Sequence, residues 1–538
     1  MRRVLTEAAV FLGFLAWAAV ATRPLAAHLA TGTLVGPDPL AHLWIVHWLS
    51  GHALDPAHLF GGNVFHPAAH AALLTDLSLG TVVLVLPLRL FTSDPVVLFN
   101  AATLLAYAFG AWAFQALVFD LTGHRPAALL AGFLAAFHPH QVNHAYHLNV
   151  LGTGWIALFL LGLHRVVTRG AGPPRALIGP VLLAGVSFAL TVQTNGYYGV
   201  AVAALAVVFA AAHVPALRRP RVLGSLAAAA LLGTLLTLPY LRAFRALQDA
   251  EGLRRPAGLS VNLAFQPGRD LDSIGYVYRS VLGSDGERLF PGLLPLALAV
   301  IALRRRAPEA RFYAAAAAAL LVLALGPRLE LAGRAVTLPY AWLFAVPPLN
   351  SMRHPFTFAA VANLLLMVLA GLGWSRLGLA RRAWSGAAVL GLAVLETLAP
   401  PRQVRTLPAG VPAAYHMLEG LPPGPVLEVP VFEEETMLWA ARHGRPVING
   451  VGAFVPVQTL VLERYIRNHW IEQVPEDLDA SRPTPYLLGR FPVRYVILPT
   501  GRKHGYEALA AAFDRSRSFR LAAVAPDGDR IYEVRAPE

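Results

Sequence analysis

Long apolar runs recur along this chain, near 8–26, 77–92, 96–118, 126–138, 148–166, 177–193, 198–212, 223–240, 290–303, 311–325, 356–374 and 384–398. Several are shorter than the roughly 20 residues a perpendicular membrane helix needs, so their ends are defined only to about a turn. Four of the polar stretches between them are basic: Arg165, Arg169 and Arg175; Arg218, Arg219 and Arg221; Arg304, Arg305 and Arg306; Arg376, Arg381 and Arg382. Loops rich in Arg and Lys stay on the cytoplasmic side. Placing all four there with Arg2 and Arg3 predicts an α-helical polytopic membrane protein of about 11–12 transmembrane helices with a cytoplasmic N-terminus. The far side then receives a first loop over 27–76, the loops 139–147, 194–197, 241–289 and 326–355, and the tail. Parity holds only if 126–138 is re-entrant or a neighbouring apolar segment does not cross.

From Pro400 the pattern changes. Apolar runs shorten, charges of both signs appear, and PAGVP and LPPGP read as linker sequence. GPVLEVPVF, VRYVILP and DRIYEVR predict strands and YEALAAAFD a helix. The expected division is a membrane domain over 1–398 and a small α/β or α+β extracytoplasmic domain over 399–538.

Composition narrows the class. With 56% hydrophobic and 14% charged residues and a mean hydropathy of +0.53, the chain is too apolar for an ordinary soluble enzyme. The net charge of +13 reflects Arg in short loops, and no nucleic-acid-binding motif accompanies it, so no nucleic-acid partner is expected. There is no Cys, which excludes disulfides, thiol catalysis and thiolate metal sites. Met1-Arg2-Arg3 and the apolar run to Val20 also fit a signal peptide, with PLAAHLA as a cleavage pattern. An uncleaved first span is the preferred reading, because cleavage would leave the polar stretch that follows as a free amino terminus.

That stretch, residues 36–80, is crowded with His and Trp, holds Asp38, Asp55 and Asp76, and lies in a region without Lys or Arg from Pro24 to Leu88. Asp38 opens an aromatic-rich helix, where a carboxylate suits a general base or a divalent-cation ligand. Asp followed by Pro is equally a helix N-cap, and Asp55-Pro56 and Asp94-Pro95 repeat the pair. Asp76 begins the second apolar run, as a cavity residue or as a cap at the membrane edge. His138, His140, His144 and His147 cluster; 140 with 144, or 144 with 147, share a helix face and suit a metal, or else simple hydrogen bonding. Trp44, Trp48 and Trp155 read as an aromatic belt in preference to a sugar platform. Arg353 in PPLNSMRHPF suits a lipid phosphate, as Arg242 and Arg245 do more weakly.

Taken together, GPDPLAHLW (36–44), LFGGNVFHP (59–67), LLTDLSLG (73–80), FHPHQVNHAYH with Trp155, and TNGYYG (194–199) resemble bacterial polytopic glycosyltransferases of the GT-C fold. The likeness continues through LFPGLLPL, the stretch 323–356 and RHGRPVINGVGAF (442–454). It implies Asp38 and Asp76 as catalytic residues, with His42, Trp44, Asn63, His66, His138, His147, Tyr197 and Arg353 on substrate. The cofactor stays open: a divalent cation, Mg or Mn, on Asp38, His140 and His144 is one option, and no cofactor is the other. Two departures stand out: Asp76 replaces a common Glu, and RHPFTF lacks a second Arg.

The implied reaction moves a sugar from a polyprenyl-phosphate donor to a lipid or cell-envelope glycan acceptor at the bacterial cytoplasmic (inner) membrane. A lipid-linked sugar transporter or flippase is the first rival reading, and a non-catalytic envelope assembly protein of the same fold the second. A transporter predicts paired half-helices and inverted repeats, which the sequence does not display.

Overall fold

The structure, a computed structural model, describes residues 2–251, 288–331, 334–343, 346, 355–378, 382–472 and 484–535. Arg353, Arg381, most of the loop 241–289 and part of the loop 326–355 lie outside the described residues.

Each apolar run forms a helix. In order these are α1 (Arg2–Ala21), α2 (Pro39–Gly51, within the first loop), α3 (Leu79–Val85), α4 (Pro95–Thr122), α5 (Arg125–Phe137), α6 (Gly154–Arg169), α7 (Arg175–Thr194), α8 (Gly196–Ala212), α9 (Pro220–Glu251), α10 (Leu293–Arg304), α11 (Ala310–Ala324), α12 (Phe356–Ser375) and α13 (Ala383–Thr397). Six helical stretches are long and apolar enough to cross a membrane: Val4–Ala21, Pro95–Thr122, Leu148–Arg169, Arg175–Thr194, Pro220–Glu251 and Phe356–Ser375. The protein is a multi-pass membrane protein of mostly helical build.

Ion pairs mark one end of the bundle. Arg125 meets Glu7 at 2.8 Å and Arg165 meets Asp120 at 2.8 Å, so the start of α1, the end of α4, the start of α5 and the end of α6 share a face. At 1.5 Å per residue α4 is roughly 42 Å long and reaches the opposite face, where Asp94 starts it. The segment before it never leaves that opposite face. Gly80 at its beginning is held there by Thr194 Oγ1 (2.7 Å), and Pro87 falls in the 3₁₀ turn Leu86–Leu90 that follows α3. Residues 77–92 therefore do not cross, α5 does, and the parity conflict in the sequence disappears. Besides the six long apolar helices, α8, α10, α11, α13 and the stretch Leu79–Leu90 are shorter apolar ones. The clusters at Arg165–Arg175, Arg218–Arg221 and Arg304–Arg306 all fall on the face of Arg125.

The tail is sewn to the first loop. Strand β1 (Gly32–Leu34) and β4 (Val404–Thr406) pair antiparallel; β2 (Arg328–Leu331) and β3 (Arg334–Thr337) form a separate hairpin. Beyond them β5 (Val426–Glu428), β6 (Tyr495–Leu498), β7 (Phe519–Val524) and β8 (Arg530–Val534) form one sheet of order β5-β6-β8-β7, with only β5 and β6 parallel. The longer tail helices are α14 (Glu435–His443), α15 (Val457–Ile466) and α16 (Glu507–Arg515). One hydrophobic core runs without a break from the bundle into Leu407, Tyr415, Met437 and Val447. A second, around Leu427, Trp470, Phe513 and Tyr532, belongs to the tail alone.

Candidate functional site

Two of the Asp-Pro pairs separate cleanly. Asp94 caps α4 as its sequence suggests, its Oδ1 accepting from the backbone N–H groups of Val96 (2.8 Å) and Val97 (2.9 Å). Asp38 stands at the same position of α2 but makes no such bond, because its φ of 55° places it in the left-handed region. That conformation is uncommon outside Gly, Asn and Asp. The cap comes from elsewhere: Leu40 N–H donates to Glu434 Oε1 at 2.9 Å, from just ahead of α14. Arg405 of β4 binds Glu434 at 3.1 Å and also pairs with Glu435. The Asp38 carboxylate is thus left for other work. Desolvation raises its pKa above the ordinary value, and among the described residues no cation counters that. Burial raises Glu434 likewise, despite Leu40 and Arg405, with the Asp38 charge adding to the effect.

Asp38 and Asp76 line one chamber of about 280 Å³ with His42, His144, His147 and Tyr197. Asp76 Oδ2 accepts from Asn149 Nδ2 at 2.7 Å. The chamber opens into an apolar groove of about 680 Å³ along α8 and α9, walled by Val200, Ala204, Val207, Tyr240 and Phe244. Thr75, Asp76, Asn195, Tyr197 and Ala453 belong to both, so the polar chamber and the apolar groove meet at Asp76 and Tyr197.

The TNGYYG turn builds that junction. Asn195 Oδ1 caps α8 through the N–H groups of Tyr197 (2.9 Å) and Tyr198 (3.4 Å), and Tyr198 Oη donates to Val150 O at 2.9 Å. Trp155 Nε1 donates to Gly80 O at 2.8 Å. A side chain at Gly80 would put its Cβ 2.4 Å from Thr194 Oγ1 and 2.5 Å from the Trp155 ring, so only Gly allows this closure.

Burial disfavours the charged form of two histidines on the wall, His42 and His147. Burial lowers His42 to about 4, and burial with His42 and His144 as neighbours lowers His147 to about 2. Their rings meet edge to face with centroids 5.2 Å apart. Neutral imidazoles offer hydrogen bonds to sugar hydroxyls and no positive charge to a phosphate. His42 Nδ1 is buried and has no hydrogen-bond partner among the described residues. His140 and His144 reach the chamber too, rings 4.4 Å apart, with His144 Nδ1 2.9 Å from His140 O. Among the described residues, however, the one group of three metal-ligating side chains with atoms within 4.8 Å is His164, His213 and Glu309, near the opposite face. Asp38, His140 and His144 therefore share a wall without forming a metal cage.

Other residues singled out in the sequence lie away from the chamber. Trp44, 1% exposed, donates its indole N–H to Asn63 Oδ1 at 2.8 Å, and Asn63 Nδ2 donates to Ala440 O (2.7 Å) and Arg445 O (3.2 Å). Both are struts between first loop and tail, and the enclosed Trp44 does not stand in an aromatic belt. His66 extends that seam through its backbone N–H to Val447 O (2.9 Å). His138 is buried behind His140, and burial lowers it to about 3. Sequence reasoning missed Glu434, Arg405, Asn149 and Asn195. Asn195 carried a local signal, as an Asn ahead of Gly at a helix start; Glu434 and Arg405 carried none.

The chain has the GT-C fold seen in membrane glycosyltransferases, by its likeness to solved structures. Its likeness to individual solved structures is one of fold. It matches ArnT from Cupriavidus metallidurans bound to undecaprenyl phosphate at TM-score 0.53 and 15% identity, covering 97% of both chains. It matches the arabinofuranosyltransferase AftD from Mycobacteria at TM-score 0.58 and 16% identity, covering all of this chain and 40% of that longer one. No family model matches the sequence, and no curated protein matches it.

Proposed function

We propose that this protein is an integral membrane glycosyltransferase that moves a sugar from a polyprenyl-phosphate donor to a hydroxyl of a lipid or cell-envelope glycan, at the bacterial cytoplasmic membrane with the tail extracytoplasmic. One observation carries the reading: an uncapped Asp38 carboxylate faces a polar chamber that continues into an apolar groove. A polyprenyl chain fits the groove by its chemistry, leaving its sugar phosphate at the junction by Asp76 and Tyr197.

In this mechanism Asp38 takes the proton of the acceptor hydroxyl. The acceptor oxygen then bonds to the anomeric carbon, the bond from that carbon to the phosphate oxygen breaks, and its electron pair leaves on the polyprenyl phosphate. Burial that raises the Asp38 pKa makes it a stronger base near neutral pH. Asp76, held by Asn149, orients a sugar hydroxyl, and the neutral His42 and His147 contribute hydrogen bonds. Since Asp38, His140 and His144 do not converge as metal ligands, no step is routed through a cation.

The test supplies membranes carrying wild type, Asp38→Asn or Asp76→Asn with labelled polyprenyl-phosphate sugars and a lipid and glycan extract. Transfer by wild type that is lost in Asp38→Asn supports the reading. Transfer no greater than in membranes without the protein sinks it and advances the transport and assembly readings.

A further inference from the structure

Near the face opposite the chamber, three helices bring together side chains that the transfer reaction does not use. His164 lies in α6, His213 directly follows α8, and Glu309 precedes α11; one ligand atom from each falls within 4.8 Å of the others. His164 is 3% exposed in a helix bounded by apolar partners. The two imidazole rings meet edge to face, with centroids 5.9 Å apart.

We propose that His164, His213 and Glu309 form a binding site for a divalent transition metal of the zinc class, which ties α6, α8 and α11 together near the basic face. Two imidazoles and one carboxylate are the donor set that borderline metals select, whereas Mg and Ca favour oxygen alone. The surroundings orient the donors as a metal site requires. His213 Nδ1 lies 2.9 Å from Phe209 O and donates to it, which leaves Nε2, 3.1 Å from Glu309 Oε2, as the nitrogen that exchanges its proton for a metal. Tyr313, fully buried, places its hydroxyl 3.0 Å from His164 Nε2 and supplies a further oxygen beside the site. Without a metal, the same atoms make one His–Glu ion pair and one His–Tyr hydrogen bond, a closed arrangement of hydrogen bonds alone. The two states differ in metal content, and that is measurable.

The experiment uses the full chain in detergent, with any affinity tag removed, loaded with zinc and dialysed, then assayed for metal by mass spectrometry and for melting temperature with and without zinc. The expected result is about one zinc per chain and a rise of several degrees in melting temperature with zinc. Glu309→Gln and His213→Gln lose both, Tyr313→Phe binds roughly tenfold more weakly, and His144→Gln, at the chamber, keeps both. No retained zinc and no zinc-dependent shift in wild type overturns the proposal, as does zinc that follows His144 instead of Glu309. Because the wild-type readings need no variant, failure of a variant to fold leaves the test decisive.

Discussion

Asn63→Ala separates a strut from a substrate contact. Asn63 is 6% exposed and spends its amide on three partners: the Trp44 indole N–H at 2.8 Å, Ala440 O at 2.7 Å and Arg445 O at 3.2 Å. Truncation strands the indole N–H and the Ala440 carbonyl in a buried place, each at a cost of about 1–3 kcal/mol. The sum is about 2–6 kcal/mol, and the longer Arg445 contact adds less. Asn63→Asp keeps an acceptor for Trp44 but turns a second oxygen on the Ala440 carbonyl, so it is expected to melt below Asn63→Ala. Thermal unfolding in detergent, followed by tryptophan fluorescence, reads the stability, and limited proteolysis reads release of the tail. The expected result is a fall of several degrees, earlier cleavage between first loop and tail, and an unchanged donor KM for the protein that remains folded. A variant that melts like wild type while its donor KM rises tenfold would refute this and return Asn63 to the substrate.

Asp94→Ala removes a helix cap and is expected to cost about 1 kcal/mol of stability with transfer per folded molecule unchanged, measured by melting and by rate. Gly80→Ala forces a Cβ against Thr194 and Trp155; a loss of about 1–3 kcal/mol and lower transfer are expected. Arg502→Met leaves Glu428 and Asp529 buried without their shared guanidinium and is expected to cost about 3–5 kcal/mol in urea melts of the tail sheet. His42 is held neutral, with a folded pKa of about 4 against an ordinary 6.5. The unfolded chain therefore takes up the proton first, so the His42 contribution is full above pH 6.5 and is lost as pH falls toward 4. The slope is roughly 1.4 kcal/mol per pH unit. His42→Gln is expected to flatten the fall of melting temperature over that range.

The helices were legible because lipid and core both demand apolar runs, and each run became a helix. Crossing was less so: 77–92 is as apolar as its neighbours, and only Thr194 gripping Gly80 reveals that it stays on one face. The strands ending at Glu428, Leu498 and Val534 were legible from β-branched runs, while β7 was not, since FRLAAV is an exposed edge strand with little alternation. At the site, Asp38 and Asp94 look alike in sequence. What distinguishes them is a backbone angle made possible by Glu434, almost 400 residues away, and no local pattern encodes that pairing. Trp44 and Asn63 look like site residues in a motif, yet their polar atoms are consumed by one another and by the tail.

The most direct test measures two quantities on one variant, the sugar-transfer rate and the melting temperature of Asp38→Asn. Asn tolerates the left-handed backbone and no side-chain cap bond is lost among the described residues, so a melting temperature within a degree or so of wild type is expected. The account also predicts a transfer rate lower by about 10²–10⁴, the range for loss of a general base. A variant that transfers as fast as wild type, or one whose rate falls only in step with its folded fraction, would contradict the assignment of Asp38 as the base.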